Sequence, residues 1–414
     1  MDFDDTPQEA EFRAEVRAFL DANAGRKRRD RSMRRYGDVD EQELQRSKAW
    51  QMKKAEAGFA GITWPKEWGG RGGTALQQII YHQEEAAYEV PYNVFLIGLG
   101  MCIPTLMAYA RPEQLARYVR PALRGEEIWC QLFSEPAGGS DVAGLRTRAE
   151  RRGDEWIING QKIWTSGAHY SDYGLLIARS DRNVPKHAGI TAFFLDMKSP
   201  GIDIRPIHQM SGASHFNEVF FTDVRIPDAQ RLGTPGQGWK VALTTLMNER
   251  LAVGEIRRPD MQDVLDLAKS VDLGGRSAIA DPAVRERIAD WHAISQGLTY
   301  TRFRILTALS RGQTPGPENS IAKIVNAAKL QAVASFGMDL LGMAGGVMDP
   351  ELVPMQALFQ DALLSSPGHR IAGGTDEILR NIIAERVLGL PADVRVDKDL
   401  PFSQLPGSPS LPAT

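Results

Sequence analysis

From residue 9 to about residue 124, apolar side chains recur at intervals of three and four, as in Phe12, Val16, Phe19 and Leu20, or Leu115, Tyr118 and Val119. That spacing collects them on one face of a helix and predicts a helical first third. Between residues 126 and 232 the texture changes to short β-branched and aromatic runs separated by turn residues, which read as strands. Asn159-Gly160, flanked by 156–158 and 162–164, predicts a two-residue hairpin, because both central positions of that turn take positive φ. The runs 189–197 and 217–226 repeat the alternation. After the glycine-rich stretch 233–238 the helical period returns over 239–253, 259–272, 282–311, 319–341 and 375–388, and Pro391 ends the last of these.

The expected architecture is an α+β multidomain chain. It has an N-terminal helical domain (1–125), a middle β-barrel-like domain (126–232), a C-terminal helical bundle (233–396) and a Pro-rich tail (397–414), flexible or draped over the surface. With 43% apolar and 24% charged residues the composition is that of an ordinary globular protein. A net charge of -3 gives no electrostatic case for nucleic acid. Cys102 and Cys130 have neither metal nor disulfide-scaffold spacing, which points to a reducing compartment, and the acidic N-terminus is unlike a targeting signal, so a cytoplasmic protein is expected. The uncharged stretch 90–110 carries Pro91, Asn93, Gly98, Gly100 and Pro104 and predicts a buried helix rather than a membrane span. The basic run 26–35 is expected to be a solvated loop.

Two segments carry candidate chemistry. In the first, Ser134 precedes the turn-rich sequence Glu-Pro-Ala-Gly-Gly-Ser-Asp ending at Asp141, whose glycines let backbone amides approach a ligand closely. In the second, Lys162-Ile-Trp164-Thr165-Ser166-Gly167 sets a large aromatic ring beside two hydroxyls, a combination that suits one face and edge of a flavin. A core tryptophan and a plain glycine turn are the simpler readings of the same residues.

Together, CQLFSEPAGGSDVAGLRTRAE at 130–150 and NGQKIWTSGA at 159–168 resemble the two middle-domain signatures of the acyl-CoA dehydrogenase family. Further similar stretches are WPKEWGGRGG at 64–73, the Arg225-Ile-Pro strand end, GQGW at 236–239 and IAGGTDEILRNIIAERVLG at 371–389. The resemblance implies FAD as cofactor and an acyl-CoA thioester as substrate. It implies α,β-dehydrogenation to a trans-2-enoyl-CoA, with an electron-transfer flavoprotein as acceptor and a homodimer or homotetramer sharing FAD across a subunit boundary. On the same basis Leu132, Ser134, Trp164 and Ser166 fall where the family contacts FAD, with Ser166 near flavin N5. Gly374, Thr375 and Glu377 match the loop and helix start that meet the cofactor, and Thr375 also suits a helix N-cap. Ser140 fits the mouth of the acyl-CoA site.

The sequence departs from the family at three places. Asp281-Pro-Ala-Val replaces an Arg-x-Thr-Phe stretch, and the region from Asp339 to Gly346 replaces a Gln-x-x-Gly-Gly pattern. The commonest family base, the glutamate of a Glu-Gly-Thr motif, is here Gly373-Gly374-Thr375, which leaves the Gly373 amide as a donor to the thioester oxygen. The second family location for the base, used by isovaleryl- and long-chain-type members, matches Glu249, followed by Arg250 as a substrate-side residue. In helical register Trp239, Ala242, Leu243, Leu246 and Val253 form an apolar face, Lys240, Thr244, Asn248 and Glu255 lie opposite, and Glu249 and Arg250 fall on the apolar side. An ionisable pair there is costly unless it has a task. Two other functions fit the residues: a subunit of a heteromeric dehydrogenase, and a flavin oxidase or monooxygenase of the same fold.

Overall fold

The computed structural model describes residues 5–27, 39–252, 259–310, 316–394 and 397–405, without the side chains of 249–252, 306, 309, 310 and 319. The basic run falls mostly outside these residues.

Helix α1 (Pro7–Asn23) begins at Thr6, whose hydroxyl accepts the Glu9 amide while Glu9 reaches back, and β1 (Gly25–Arg26) follows it. Next come α2 (Glu41–Glu56), α3 (Ala75–Glu85) and β2 (Tyr88–Glu89), which pairs with β1. Their apolar stripes meet in one core, where Phe12, Val16 and Leu20 pack on Trp50, Phe59, Ile62, Ile80 and Tyr81. The uncharged stretch forms a π-helical turn (Gly98–Cys102) running into α4 (Ile103–Tyr109), followed by α5 (Pro112–Leu123). No described helix is long and apolar enough to cross a membrane. Met101, Cys102, Ile103 and Leu106 are buried, as the breakers in this stretch led one to expect.

The middle unit contains β3 (Trp129–Leu132), β4 (Arg148–Arg152), β5 (Glu155–Ser166), β6 (Tyr173–Arg179), β7 (Ile190–Asp196), β8 (Ile202–Ile207), β9 (Phe216–Pro227) and β10 (Arg231–Leu232). They form one eight-stranded sheet in the order β10-β7-β6-β4-β5-β9-β8, with β3 pairing β6 in parallel. The sheet does not close, so the expected barrel is an open sheet whose strands share an inner core. Closure would need β10 and β8 to meet, and they stand at opposite ends of the strand order.

The expected hairpin at Asn159-Gly160 is also corrected. The turn lies at Gly153 (φ +63), between β4 and β5, and β5 runs unbroken past Gly160. Gly160 occupies a bulge against β9, where a β-carbon would stand 2.6 Å from the Thr147 backbone. The Asn-Gly pair therefore records close strand approach, a requirement the sequence pattern does not separate from a turn.

Helix α6 (Gly238–Ala252) starts against β7, where a β-carbon on Gly238 would stand 2.7 Å from the Thr191 carbonyl carbon. The bundle continues with α7 (Met261–Ser270), α8 (Pro282–Ser310), α9 (Ser320–Leu341), α10 (Leu358–Ile371) and α11 (Asp376–Arg386). Helix α10 was not anticipated, because Ser365, Ser366, Pro367 and Gly368 break its local helical signal. Burial supplies what propensity lacks: Phe359 packs so close to α9 that only glycine fits at 337. The start of the tail is held rather than free, because residues 401–403 dock on the loop between β6 and β7.

Candidate active site

Two bulges shape β5, the second between Lys162 and Thr165. At that bulge the Ile163 amide donates to the Ser134 carbonyl (2.9 Å), which brings the two signature segments side by side. Lys162 is fully buried, and its ammonium donates to Glu135 Oε1 (2.7 Å) and to the Phe133 carbonyl (3.0 Å). Glu135 also accepts the amides of Arg146 and Thr147. Burial alone raises the Glu135 pKa, but the Lys162 ammonium and these donors outweigh it and hold the carboxyl below its usual range. A buried, hydrogen-bonded pair thus clamps the loop after β3 to β5.

The same bulge forces Trp164 to φ +59, a left-handed conformation rare for so bulky a residue. Such strain costs on the order of 1–3 kcal/mol and persists where the surroundings impose it. Its indole is 54% exposed, braced edge-on by Phe216 at 5.8 Å, so the simpler reading of a core tryptophan is excluded. Ser134 and Ser166 are half-buried beside it. Leu132, by contrast, is fully buried in the inner core, its side chain against Gly174, and lines no open surface. Ser140 is exposed at the end of the Gly138-Gly139 turn.

Helix α6 is wedged between the sheet and the N-terminal helices. Val241, Ala242 and Thr245 are fully buried, and Thr245 hydrogen-bonds Thr105 of α4 at 2.9 Å. Leu243 and Met247 are exposed, so the buried face lies one step away from the apolar face expected at Leu243. In register, position 249 follows Thr245 by one turn and Val241 by two. The side chains of Glu249 and Arg250 lie outside the described residues.

Gly373 (φ +66) and Gly374 (φ +91) form the turn before α11, and Thr375 caps the helix by accepting the Ile378 amide. Lys323 donates to the Gly374 carbonyl (2.6 Å), while Arg370 pairs with the buried Asp376 (2.7 Å). This loop is therefore carried by the bundle, as α11 packs on α9. Glu377 is exposed. In the two regions that depart from the family pattern, Asp281 accepts the Ala283 amide at the start of α8, and residues 342–346 form a short turn with Met343 exposed. The clamps at Lys162 and Lys323 were missed from sequence. A lysine at even spacing from Trp156 and Ile158, and so on their face of the strand, was the available signal for the first.

These residues fit a flavin. A strained, outward-facing indole, two accessible hydroxyls and a loop of closely approachable backbone supply a stacking face and edge donors without any metal ligand, and no metal-binding cluster occurs among the described residues. The comparisons agree. The acyl-CoA dehydrogenase N-terminal, middle and C-terminal domain profiles match residues 6–126, 130–224 and 236–388. Acyl-CoA dehydrogenase IpdE1 of Mycobacterium tuberculosis is 38% identical over 93% of this chain and 98% of its own. Acyl-CoA dehydrogenase FadE34 of the same organism is 38% identical over 82% of this chain, which spans 46% of that longer protein. Among solved structures, "Tcur3481-Tcur3483 steroid ACAD" has a TM-score of 0.77 at 26% identity, covering 95% of this chain and all of the other. The ChsE4-ChsE5 complex of M. tuberculosis has 0.75 at 27%, over 95% and 100%. With all three domain profiles matched in chain order and a relative of 38% identity aligned almost end to end, the chain belongs to the acyl-CoA dehydrogenase family of FAD-dependent oxidoreductases.

Proposed function

We propose that the protein dehydrogenates an acyl-CoA thioester between its α and β carbons, with Glu249 as the base. The observation that supports this most directly is the clamped corner at Ser134, Trp164 and Ser166, where the β5 bulge holds a strained tryptophan out towards solvent. Ser134, Trp164 and Ser166 would hold the redox end of FAD, and Gly374, Thr375 and Glu377 of the bundle would also contact it. When bound, FAD accepts the electron pair and the β-hydrogen. Glu249 takes the α-proton of the thioester, a very weak acid, while the Gly373 amide donates to the oxygen on which charge develops. We assign Arg250, the next residue in sequence, to substrate binding. Gly373 carries no carboxylate, so the proton has to go to a group on another element, and α6 is held rigidly enough to aim one. We take an electron-transfer flavoprotein as acceptor and the interior of the cell as its place of action.

For the acyl group we favour a branched or bulky one. Ala372, Gly373 and Gly374 leave little side chain in the loop, and one structural neighbour is named as a steroid acyl-CoA dehydrogenase. A second reading is a subunit of a heteromeric dehydrogenase, favoured by a neighbour described as a two-chain complex. Anaerobic addition of a panel of acyl-CoAs to the purified chain tests both. Bleaching of the flavin with formation of the 2-enoyl product supports a self-sufficient enzyme. A chain that takes up no FAD alone but does so with a partner chain supports the second reading.

A further inference from the structure

Lys186 stands where three parts of the chain meet. Its ammonium lies 3.0 Å from Asp141, at the end of the glycine-rich loop after β3, and 2.8 Å from Asp397, beyond α11. The segment that contains Asp397 returns from the bundle to the sheet. Pro401 bridges Pro185, the Phe402 amide donates to the Val184 carbonyl and the Ser403 amide to the Arg182 carbonyl. The Phe402 ring is buried, only 6% exposed, with the Arg179 guanidinium 3.9 Å from its centre. That guanidinium donates in turn to the carbonyls of Lys186, Ala143 and Leu145. One arginine and one lysine therefore tie together the 397–403 segment, the β6–β7 connection and the flank of the Ser140 loop that runs from Asp141 to Leu145.

The first half of the loop is held by Glu135, whose backbone pairs with Gly138, but the tip beyond it is not packed: a β-carbon on Gly139 would meet nothing within 4 Å, and Ser140 and Asp141 are exposed. The strap has what the tip lacks: a buried ring beneath a desolvated cation, a contact stronger than its exposed counterpart, and Pro401 to reduce the entropy lost on docking. Burial opposes the charge on Lys186, but Asp397 and Asp141 outweigh it and raise its pKa, so the lysine stays charged at neutral pH and serves as a fixed bridge.

We infer that residues 397–405 form a positioning strap which, through Lys186 and Arg179, sets the Gly138–Asp141 turn and so governs affinity for the acyl-CoA without entering the chemistry. The link to affinity rests on the assignment of Ser140 to the mouth of the substrate site. The link to the loop rests on geometry alone.

The test uses the full-length FAD-loaded protein with Asp397→Asn, Phe402→Ala and Lys186→Met, read by hydrogen–deuterium exchange over 136–147 and by steady-state kinetics with whichever acyl-CoA bleaches the flavin. Each variant is expected to speed exchange in that segment and to raise KM roughly three- to tenfold while kcat stays within about twofold. Asp397→Asn should add almost nothing in the Lys186→Met background, because both break the same bridge. Unchanged exchange over 136–147 in Phe402→Ala overturns the strap, as does a fall in kcat with KM unmoved. A wild-type chain that reduces no flavin with any acyl-CoA counts against the proposed activity only, because the exchange measurement decides the strap by itself.

Discussion

The middle sheet and the C-terminal bundle carry the two halves of the candidate site, and they bury their apolar residues in different ways. In β6 and β7 six consecutive positions are buried, because alternate side chains face two cores: Leu175, Ile177, Ala192 and Phe194 meet the flanking helices, while Leu176, Ala178, Phe193 and Leu195 meet the inner face of the sheet. The bundle has a core around Val264, Trp291, Val333 and Phe359, yet leaves Ile321 at the start of α9, Ile378 on α11, and Val387, Leu388 and Leu390 just beyond it exposed. The sheet is complete within one chain. The bundle offers the kind of apolar surface that a second copy covers, which is the basis for our proposal of a homodimer or homotetramer.

The sharpest test of this division is chemical. If α6, wedged against the sheet, supplies the base that the Gly373 loop lacks, Glu249→Gln should retain FAD and bind substrate. Anaerobic stopped-flow should then show flavin reduction slowed by roughly two to four orders of magnitude, the usual worth of a positioned general base. A rate near that of the wild type would place the base elsewhere.

Stability should divide along the same line. Lys162→Met leaves the Glu135 carboxylate buried without its partner and should lower the unfolding free energy by roughly 3–5 kcal/mol, with loss of bound FAD. Lys323→Met leaves Asp376 its Arg370 partner and should cost about 1 kcal/mol or less. Equal shifts in denaturation midpoint would show that the two clamps do not differ.

Acid should reach the sheet through His215, whose pKa is pushed down to about 4 by burial and then by the neighbouring His169. The folded ring stays neutral while the unfolded one takes a proton below about pH 6.5, so stability falls as pH drops from there towards 4. The loss is on the order of 2–3 kcal/mol, and His215→Gln should flatten that part of the pH–stability curve. A curve of unchanged slope in the variant would remove His215 from the account.

Association should respond to the bundle surface alone. Leu388→Asp is expected to weaken self-association by roughly 2 kcal/mol, seen by sedimentation as a shift towards monomer, with the melting of the sheet core unchanged. A wild-type chain that is monomeric and active at micromolar concentration would contradict the proposed assembly.

Periodicity alone made the order of helical, β and helical thirds legible, along with five of the six later helices to within a few residues at each end, because each buries one stripe against a neighbour. The motifs located the Ser134 and Trp164 segments. Local pattern could not tell Gly160 as a bulge from Gly160 as a turn, since both need glycine and only the partner strand distinguishes them. It also missed α10, whose serines, proline and glycine are overruled by Phe359 and its neighbours. The sequence by itself determined the chemistry available: two hydroxyls beside a tryptophan, a glycine where a base is common, and a glutamate on α6. Tertiary structure alone decided that the tryptophan faces outward under strain, that Lys162 and Glu135 lock its segment to the loop before it, and that the chain end returns to hold the Ser140 loop. The contacts that fix the two tethers join residues between 27 and 211 positions apart, and no local periodicity carries information over such separations.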